Sequence, residues 1–370
     1  ATPGLSSVGV LSANNWTFNW WNWWLGDSLG IIAAAPLMFV FFGQPAKDWR
    51  GRRMGVAVPL ALALTILIFA FHRVIAWEEM RVEGQFKRDT GHIASLISKR
   101  LDAQLDTVLA IKGLMVASEE VTRAEFHSFV APWLKRYPGT QNFTWNPLIH
   151  HANRDEFERA LRALGQPDFR IVDRSLDGRV YPARASAEYL PITYIEPLEA
   201  NLSALGVNPL SLAPAVEAID ETRRSRLPVA AAPFRLVQET DNQSGVVVYL
   251  AVESSAPQAQ FPEAGIISTA FRMDEALAAA RSDATAAGIE LCLVDLKADP
   301  ARARLSGPAG CEMDDWLAES LTQRIDLPFA SRPWQLRLRA TAAYIQSQRS
   351  WAAWTTVATG LFGVGLLGAF

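Results

Sequence analysis

IASLISKRLDAQLDTVLAIKGLM, residues 93–115, sets the architecture. Ile93, Ile97, Leu101, Leu105, Val108, Ile111 and Met115 recur at three- and four-residue steps. That spacing puts apolar side chains in one stripe along a helix. The surrounding residues 78–118 are rich in Glu, Lys, Gln and Ala and contain no proline, so nothing interrupts the helix. Gly84, Gly91 and Gly113 are its soft positions. The stripe either packs on its own domain or forms a coiled-coil seam with the same helix of a second subunit.

Upstream, this helix continues out of MGVAVPLALALTILIFAFHRVIAW, residues 54–77. That run is long enough for a bilayer, which needs roughly 20 apolar residues. So are residues 23–42 and WAAWTTVATGLFGVGLLGAF, 351–370. Between the first two runs lie Lys47, Arg50, Arg52 and Arg53, the charge excess of a cytoplasmic loop. Residues 78–345 are then extracytoplasmic, raised on a stalk. Trp16, Trp20, Trp21, Trp23 and Trp24 crowd the outer end of the first run, as an interfacial belt does. Asp27 reads either as a ligand or ion contact or as an interfacial carboxylate. His72 and Arg73 either face the headgroups or mark a proton path. The sequence opens without Met and stops inside an apolar run, so a longer protein is expected. The net charge of −3 gives no basic surface for a nucleic-acid partner.

Downstream, TRAEFHSFVAPWLKRY (122–137) is an amphipathic helix, and Thr122 with Glu125 fits a capping box. QNFTWNPLI (141–149), FRIVD (169–173), EYLPITYI (188–195), VAAAPFRLVQ (229–238) and GVVVYLAVE (245–253) read as strands. RDEFERALRALG (154–165), PLEANLSALG (197–206) and LAPAVEAIDETRRS (212–225) read as helices. The polar, proline-containing SSAPQAQFPEAG (254–265) then reads as a linker. Beyond it GIISTAFRM (265–273), IELCLVDL (289–296) and WQLRLRA (334–340) are strands. DEALAAARSDATAAG (274–288) and MDDWLAESLTQRI (313–325) are helices. Cys292 and Cys311 fall in the extracytoplasmic part, where they either bridge as a staple or remain two thiols.

The expected fold is therefore α+β. A transmembrane helix at 54–77 leads into a stalk helix at 78–121. A membrane-distal unit at 122–255 and a membrane-proximal unit at 256–345 follow, each an antiparallel sheet with helices. A third transmembrane helix occupies 346–370, and residues 1–53 hold the first.

The chemistry expected is binding. There is no nucleophile–base set, no phosphate loop and no cysteine–histidine metal spacing, so no catalysis, cofactor or metal is expected. His150 and His151 are adjacent, and neighbours on a strand face opposite ways. Tyr189, Pro191 and Thr193 share one face of a strand. Trp145, Phe234 and Tyr249 come from other strands of the same sheet. An apolar cup with a few polar tips suits a small, flat molecule. Asn208 offers both a donor and an acceptor to a ligand, or it caps a helix or shapes the turn before Pro209.

Five blocks in order carry a family resemblance: WNP (145–147), EYLPITYIEP (188–197), NLSALGVN (201–208), PFRLVQE (233–239) and GVVVYLAV (245–252). Together they resemble the CHASE domain, the extracytoplasmic sensor of plant cytokinin receptor kinases and of many bacterial signalling proteins. The resemblance covers most of residues 80–345. It implies a long helix with two tandem PAS-like units, the distal one holding the ligand. It also aligns Asn208 with an Asp that bonds the hormone's purine ring in the plant receptors, and Tyr249 with a small pocket Thr. Asn208 lacks the carboxylate's charge, and Tyr249 reshapes or fills the space. The ligand implied is adenine-like or another small aromatic or amphipathic compound.

WWLGDSLGIIAAAPL (23–37) resembles the last helix of MASE1, an integral-membrane sensory domain. MASE1 followed by CHASE implies a bacterial inner-membrane receptor, dimeric through its stalk. Its output would be a diguanylate cyclase, a cyclic di-GMP phosphodiesterase or a two-component histidine kinase. The alternatives are a membrane-anchored dimerisation module without a ligand and a periplasmic enzyme.

Overall fold

A computed structural model describes residues 53–233, 245–253, 264–318 and 321–348, with single positions between 24 and 42 and between 350 and 363. Phe234, the basic loop at 43–52, the tryptophans before Trp24 and most of 351–370 lie outside the described residues. The chain divides into two compact units: Phe86–Ile345, and Ala1–Gln85 with Gln346–Phe370.

In the second of these, helix α1 (Arg53–Ala117) contributes its first half. Leu62, Ile66, Ile68 and Phe69 are exposed along it. Among the described residues it is the one helix long and apolar enough to cross a bilayer. Of the first apolar run, Trp24, Asp27, Ile31, Ala35, Met38 and Phe42 are described, each helical.

In the Phe86–Ile345 unit, α2 (Arg123–Arg136) opens on a capping box. Thr122 Oγ1 accepts from the Glu125 N–H at 3.3 Å, and the Glu125 carboxylate accepts from the Thr122 N–H at 2.8 Å. The Thr122 N–H and, second, the Thr122 hydroxyl, both donating to that carboxylate, hold the Glu125 carboxyl below its usual range. Thr122→Ala is expected to cost about 1 kcal/mol in urea unfolding.

There follow β1 (Thr140–Pro147), β2 (Ile149–His150), α3 (Arg154–Ala163), β3 (Val172–Arg174), β4 (Val180–Pro182), β5 (Glu188–Tyr189) and β6 (Tyr194–Glu196). Then come α4 (Ala213–Ser225), β7 (Val229–Ala230), β8 (Gly245–Glu253) and β9 (Ala264–Arg272). The larger sheet has the order β6-β1-β9-β8-β7. EYLPITYI is thus two strands: β5 pairs with β2, and β6 pairs with β1. Pro191 sits at the break, having no N–H to give a ladder.

Strand β9 departs from the expected second unit. It lies in the centre of this sheet, paired antiparallel with β8 from Gly245↔Arg272 to Glu253↔Ala264 and with β1 on its other side. The stretch at 254–263 lies outside the described residues, but the strands on either side of it are paired neighbours in one sheet, so it does not separate two units. Its prolines and polar residues imitate a linker because a connection within a sheet and one between units both suit a chain that cannot pair.

The smaller sheet, ordered β11-β10-β13-β12, comprises β10 (Ile289–Asp295), β11 (Arg304–Ser306), β12 (Thr322–Phe329) and β13 (Arg332–Ala340). MDDWLAESLTQRI supplies only a 3-10 turn, Asp314–Leu317, before β12 begins. β12 is an edge strand, where Pro328 is tolerated.

The stalk stripe is consumed inside the chain. Phe86, Ile93, Ile97 and Leu101 pack with Leu291, Leu336 and Trp334 of the smaller sheet and with Val246, Val248 and Phe271 of the larger. Val108 and Ile111 join Phe126, Phe143 and Trp145 in the adjoining core. Leu96, Leu109 and Val116 remain exposed on the helix.

Cys292 and Cys311 form a disulfide, with Cα atoms 6.0 Å apart and both residues buried. Closing a loop of this size contributes about 3 kcal/mol. The double variant Cys292→Ser/Cys311→Ser is expected to unfold at a clearly lower temperature. An unchanged midpoint would show that the bridge does not restrain the unfolded chain.

Candidate ligand cavity

Alternation along three neighbouring strands builds one wall of a cavity. Asn142 and Thr144 of β1, Val247 and Tyr249 of β8, and Ser268 and Ala270 of β9 face it together. The residues between them, Phe143, Trp145, Val248, Leu250 and Ile267, belong to the cores on the opposite face. The other wall is Ile192, Ile195, Ala204, Val207, Pro209 and Leu212, with Arg174 at the end of β3. The cavity measures about 70 Å³.

One glycine fixes that second wall. Gly206 has φ +79°, and a Cβ there would lie 2.2 Å from the Arg170 carbonyl oxygen. Only glycine lets the chain turn and pass so close. Its neighbour Val207 then bridges to Val172 in parallel, and the Asn208 N–H donates to the Val172 carbonyl at 2.8 Å.

Most polar groups of the sheet wall satisfy one another. Thr144 Oγ1 and Ser268 Oγ are 2.6 Å apart, and Asn146 Nδ2 donates to Thr144 Oγ1 at 3.0 Å and to the Ile266 carbonyl at 2.8 Å. Asn142 Nδ2 reaches Asn201 Oδ1 at 3.4 Å. Three residues are different. Asn146 Oδ1 is buried without a partner. Tyr249 is 3% exposed, and among the described residues its hydroxyl has no hydrogen-bond partner. Burial raises its phenol well above the usual range, so it stays neutral. Arg174 is 8% exposed and its Nε is buried without a partner. No carboxylate pairs with it among the described residues. Burial pulls the guanidinium below its ordinary range, although arginine remains charged.

The residues expected to form the site separate in space. Tyr249 lines the cavity. Asn208 stands behind the wall: its Oδ1 accepts from the Leu190 N–H at 3.1 Å and its Nδ2 donates to Asp173 Oδ1 at 3.2 Å. Tyr189 lies in a satellite core with Ile149, Phe157 and Phe169. Its hydroxyl accepts from the Ser186 N–H at 3.0 Å, donates to the Arg184 carbonyl at 3.1 Å and is 3.0 Å from His151 Nδ1. The Arg154 guanidinium sits 5.1 Å over its ring. Thr193 bonds the Pro191 carbonyl through its hydroxyl at 3.1 Å and the Trp145 carbonyl through its N–H at 2.9 Å. Trp145 faces the stalk side of the sheet. No group of three metal-binding side chains occurs among the described residues.

Arg174, Asn142 and Ser268 were not singled out from sequence. The polar row Asn142, Thr144, Asn146 alternates with Phe143 and Trp145, and that pattern signals a polar face inside a buried strand. Arg174 has no such local signal.

The sequence profile of the CHASE domain matches residues 119–305, which is 187 of the 370 residues and contains the whole cavity lining. No curated protein matches the chain. Among solved structures, the ligand-binding domain of the Pseudomonas aeruginosa amino acid chemoreceptor PctC, in complex with GABA, is 11% identical with a TM-score of 0.39. That alignment covers 70% of this chain and 99% of the other. The periplasmic sensory domain of a Campylobacter jejuni chemoreceptor is 7% identical with a TM-score of 0.38, over 70% and 95% of the two chains. With the family profile running through the larger sheet and its cavity, the chain belongs to the CHASE domain family and carries an extracellular sensory domain of a signalling receptor.

Proposed function

We propose that this chain is the extracytoplasmic input region of a bacterial inner-membrane receptor and that its ligand binds in the cavity of the larger sheet. The carrying observation is the buried, unpartnered Nε of Arg174 in a cavity that Tyr249 also lines. Such a group is costly unless something bonds it. Size narrows the ligand. A cavity of about 70 Å³ holds roughly five water-sized groups. A compact aliphatic or amphipathic compound fits that space, whereas an adenine-like compound needs the 192–212 wall to move outward.

Strands β8 and β9 carry ligand-facing Tyr249 and Ala270 on one side and stalk-facing Val248 and Phe271 on the other. A ligand that favours one packing of these strands thereby biases the stalk. The stalk is the second half of α1, whose first half is long and apolar enough to cross a membrane. The MASE1-like segment would anchor the opposite end, and a cyclase, phosphodiesterase or kinase would receive the signal. Dimerisation, with the stripe already buried, would use the stalk face carrying Leu109 and Val116, seven residues apart and both exposed.

The test is a thermal-unfolding screen of the whole chain in detergent against purines, amino acids, organic acids and amines. A true ligand raises the midpoint with concentration, and Ala270→Leu, which fills the cavity, removes the shift. A shift that survives Ala270→Leu puts the site elsewhere. Tyr249→Phe is expected to leave the unliganded midpoint unchanged, having no bond to lose, and to weaken the ligand roughly 2- to 10-fold by titration.

A further inference from the structure

Arg174 is a buried cation with no counter-charge among the described residues, and it lines the cavity of the larger sheet. The nearby carboxylates are occupied elsewhere. Asp173 accepts from Asn208 Nδ2 at 3.2 Å and from the Arg184 N–H at 3.0 Å, and Asp177 pairs with Arg179 at 3.3 Å. The Arg174 backbone is itself fixed, its N–H donating to Ser211 Oγ at 3.0 Å and its strand pairing with β4. The position is thus held rigidly while the charge is left unmatched. A buried charge without a partner is destabilising, and a fold keeps one where a binding partner supplies the opposite sign.

Resting on the cavity being the ligand site, we propose that the ligand is a small carboxylate. Its anionic end pairs with Arg174, its short apolar body lies on Val207, Leu212, Val247 and Ala270, and an oxygen bonds the Tyr249 hydroxyl. The guanidinium fork matches a carboxylate with two parallel hydrogen bonds. The volume admits a body of three or four carbons, roughly five water-sized groups in all. A neutral or cationic compound of the same size would leave Arg174 unmatched or repelled.

The experiment is calorimetric titration of the whole chain in detergent micelles with propionate, butyrate and lactate, each beside its amide. At least one acid is expected to bind while its amide does not. Arg174→Gln should weaken that acid roughly ten- to hundredfold, with Arg174→Lys in between. Arg174→Met should keep or raise the unliganded melting temperature, because it removes an unpaired buried charge; a purely structural arginine would instead lower it. A neutral compound that binds equally to wild type and Arg174→Gln, yet is lost in Ala270→Leu, overturns the carboxylate and leaves the cavity as the site. An acid whose binding is unaffected by both Arg174→Gln and Ala270→Leu overturns both readings. Failure of every acid to bind also overturns the carboxylate.

Discussion

Asp295→Ala is expected to lower stability by about 3–5 kcal/mol in equilibrium urea unfolding. Asp295 ends β10 and its side chain is fully buried; Arg332, at the start of β13, is 7% exposed. The two form a fork, Arg332 Nη2 bonding Asp295 Oδ1 at 3.1 Å while Nε bonds Oδ2. The same Oδ1 accepts from the Lys297 N–H at 2.9 Å and so shapes the turn that leaves β10. Removing the carboxylate strands a guanidinium in the core of the smaller sheet and frees that turn. The loss would be a large share of the roughly 5–15 kcal/mol available to a folded domain. Replacing both partners by apolar residues, Asp295→Leu with Arg332→Met, should recover much of it, since the cost lies in the uncompensated charge. A loss below about 1 kcal/mol for Asp295→Ala would mean that water reaches the pair.

Trp145→Ala is expected to cost about 3–5 kcal/mol and to leave ligand affinity per folded molecule unchanged. Trp145 is 6% exposed and packs with Val108, Ile111, Phe126 and Tyr194 on the stalk side of the sheet. Its ring lies against Gly265 of β9, where an added Cβ would stand 2.5 Å from Cη2 and 2.6 Å from the Asn146 carbonyl. The pairing of a large ring with a glycine is therefore reciprocal, and Gly265→Ala should destabilise through the same contact. Guanidinium unfolding checks the first claim and titration of the folded fraction checks the second. Loss of ligand with stability intact would move Trp145 into the binding site.

How much of this was legible depends on the range of the interaction. The stalk stripe from Ile93 to Met115 and the Thr122–Glu125 cap are written within one or two helical turns, so sequence spacing reveals them. Alternation in GVVVYLAVE likewise separates Tyr249 from Val248. Partner choice is not local. Nothing in GIISTAFRM says that it pairs between β1 and β8, and a polar connection within a sheet has the same composition as a linker between units. TQRIDLPF alternates, yet it follows a helix-like stretch and carries Pro328, which hid the edge strand. Tyr189 shows the limit for a site: a buried hydroxyl needs a partner, and the neighbours Ser186 and Arg184 supply it. Asn208 is spent in the same way on Leu190 and Asp173. Arg174 was missed because its lack of a counter-charge exists only once the sheets are assembled.

The most direct measurement is hydrogen–deuterium exchange of the whole chain with and without whichever compound raises its melting temperature. The cavity predicts slowed exchange in Asn142–Thr144, Val247–Tyr249, Ser268–Ala270 and the 204–212 wall, with the smaller sheet nearly unchanged. Protection confined to residues 289–340, or spread evenly over the chain, would contradict the placement of the ligand in this cavity.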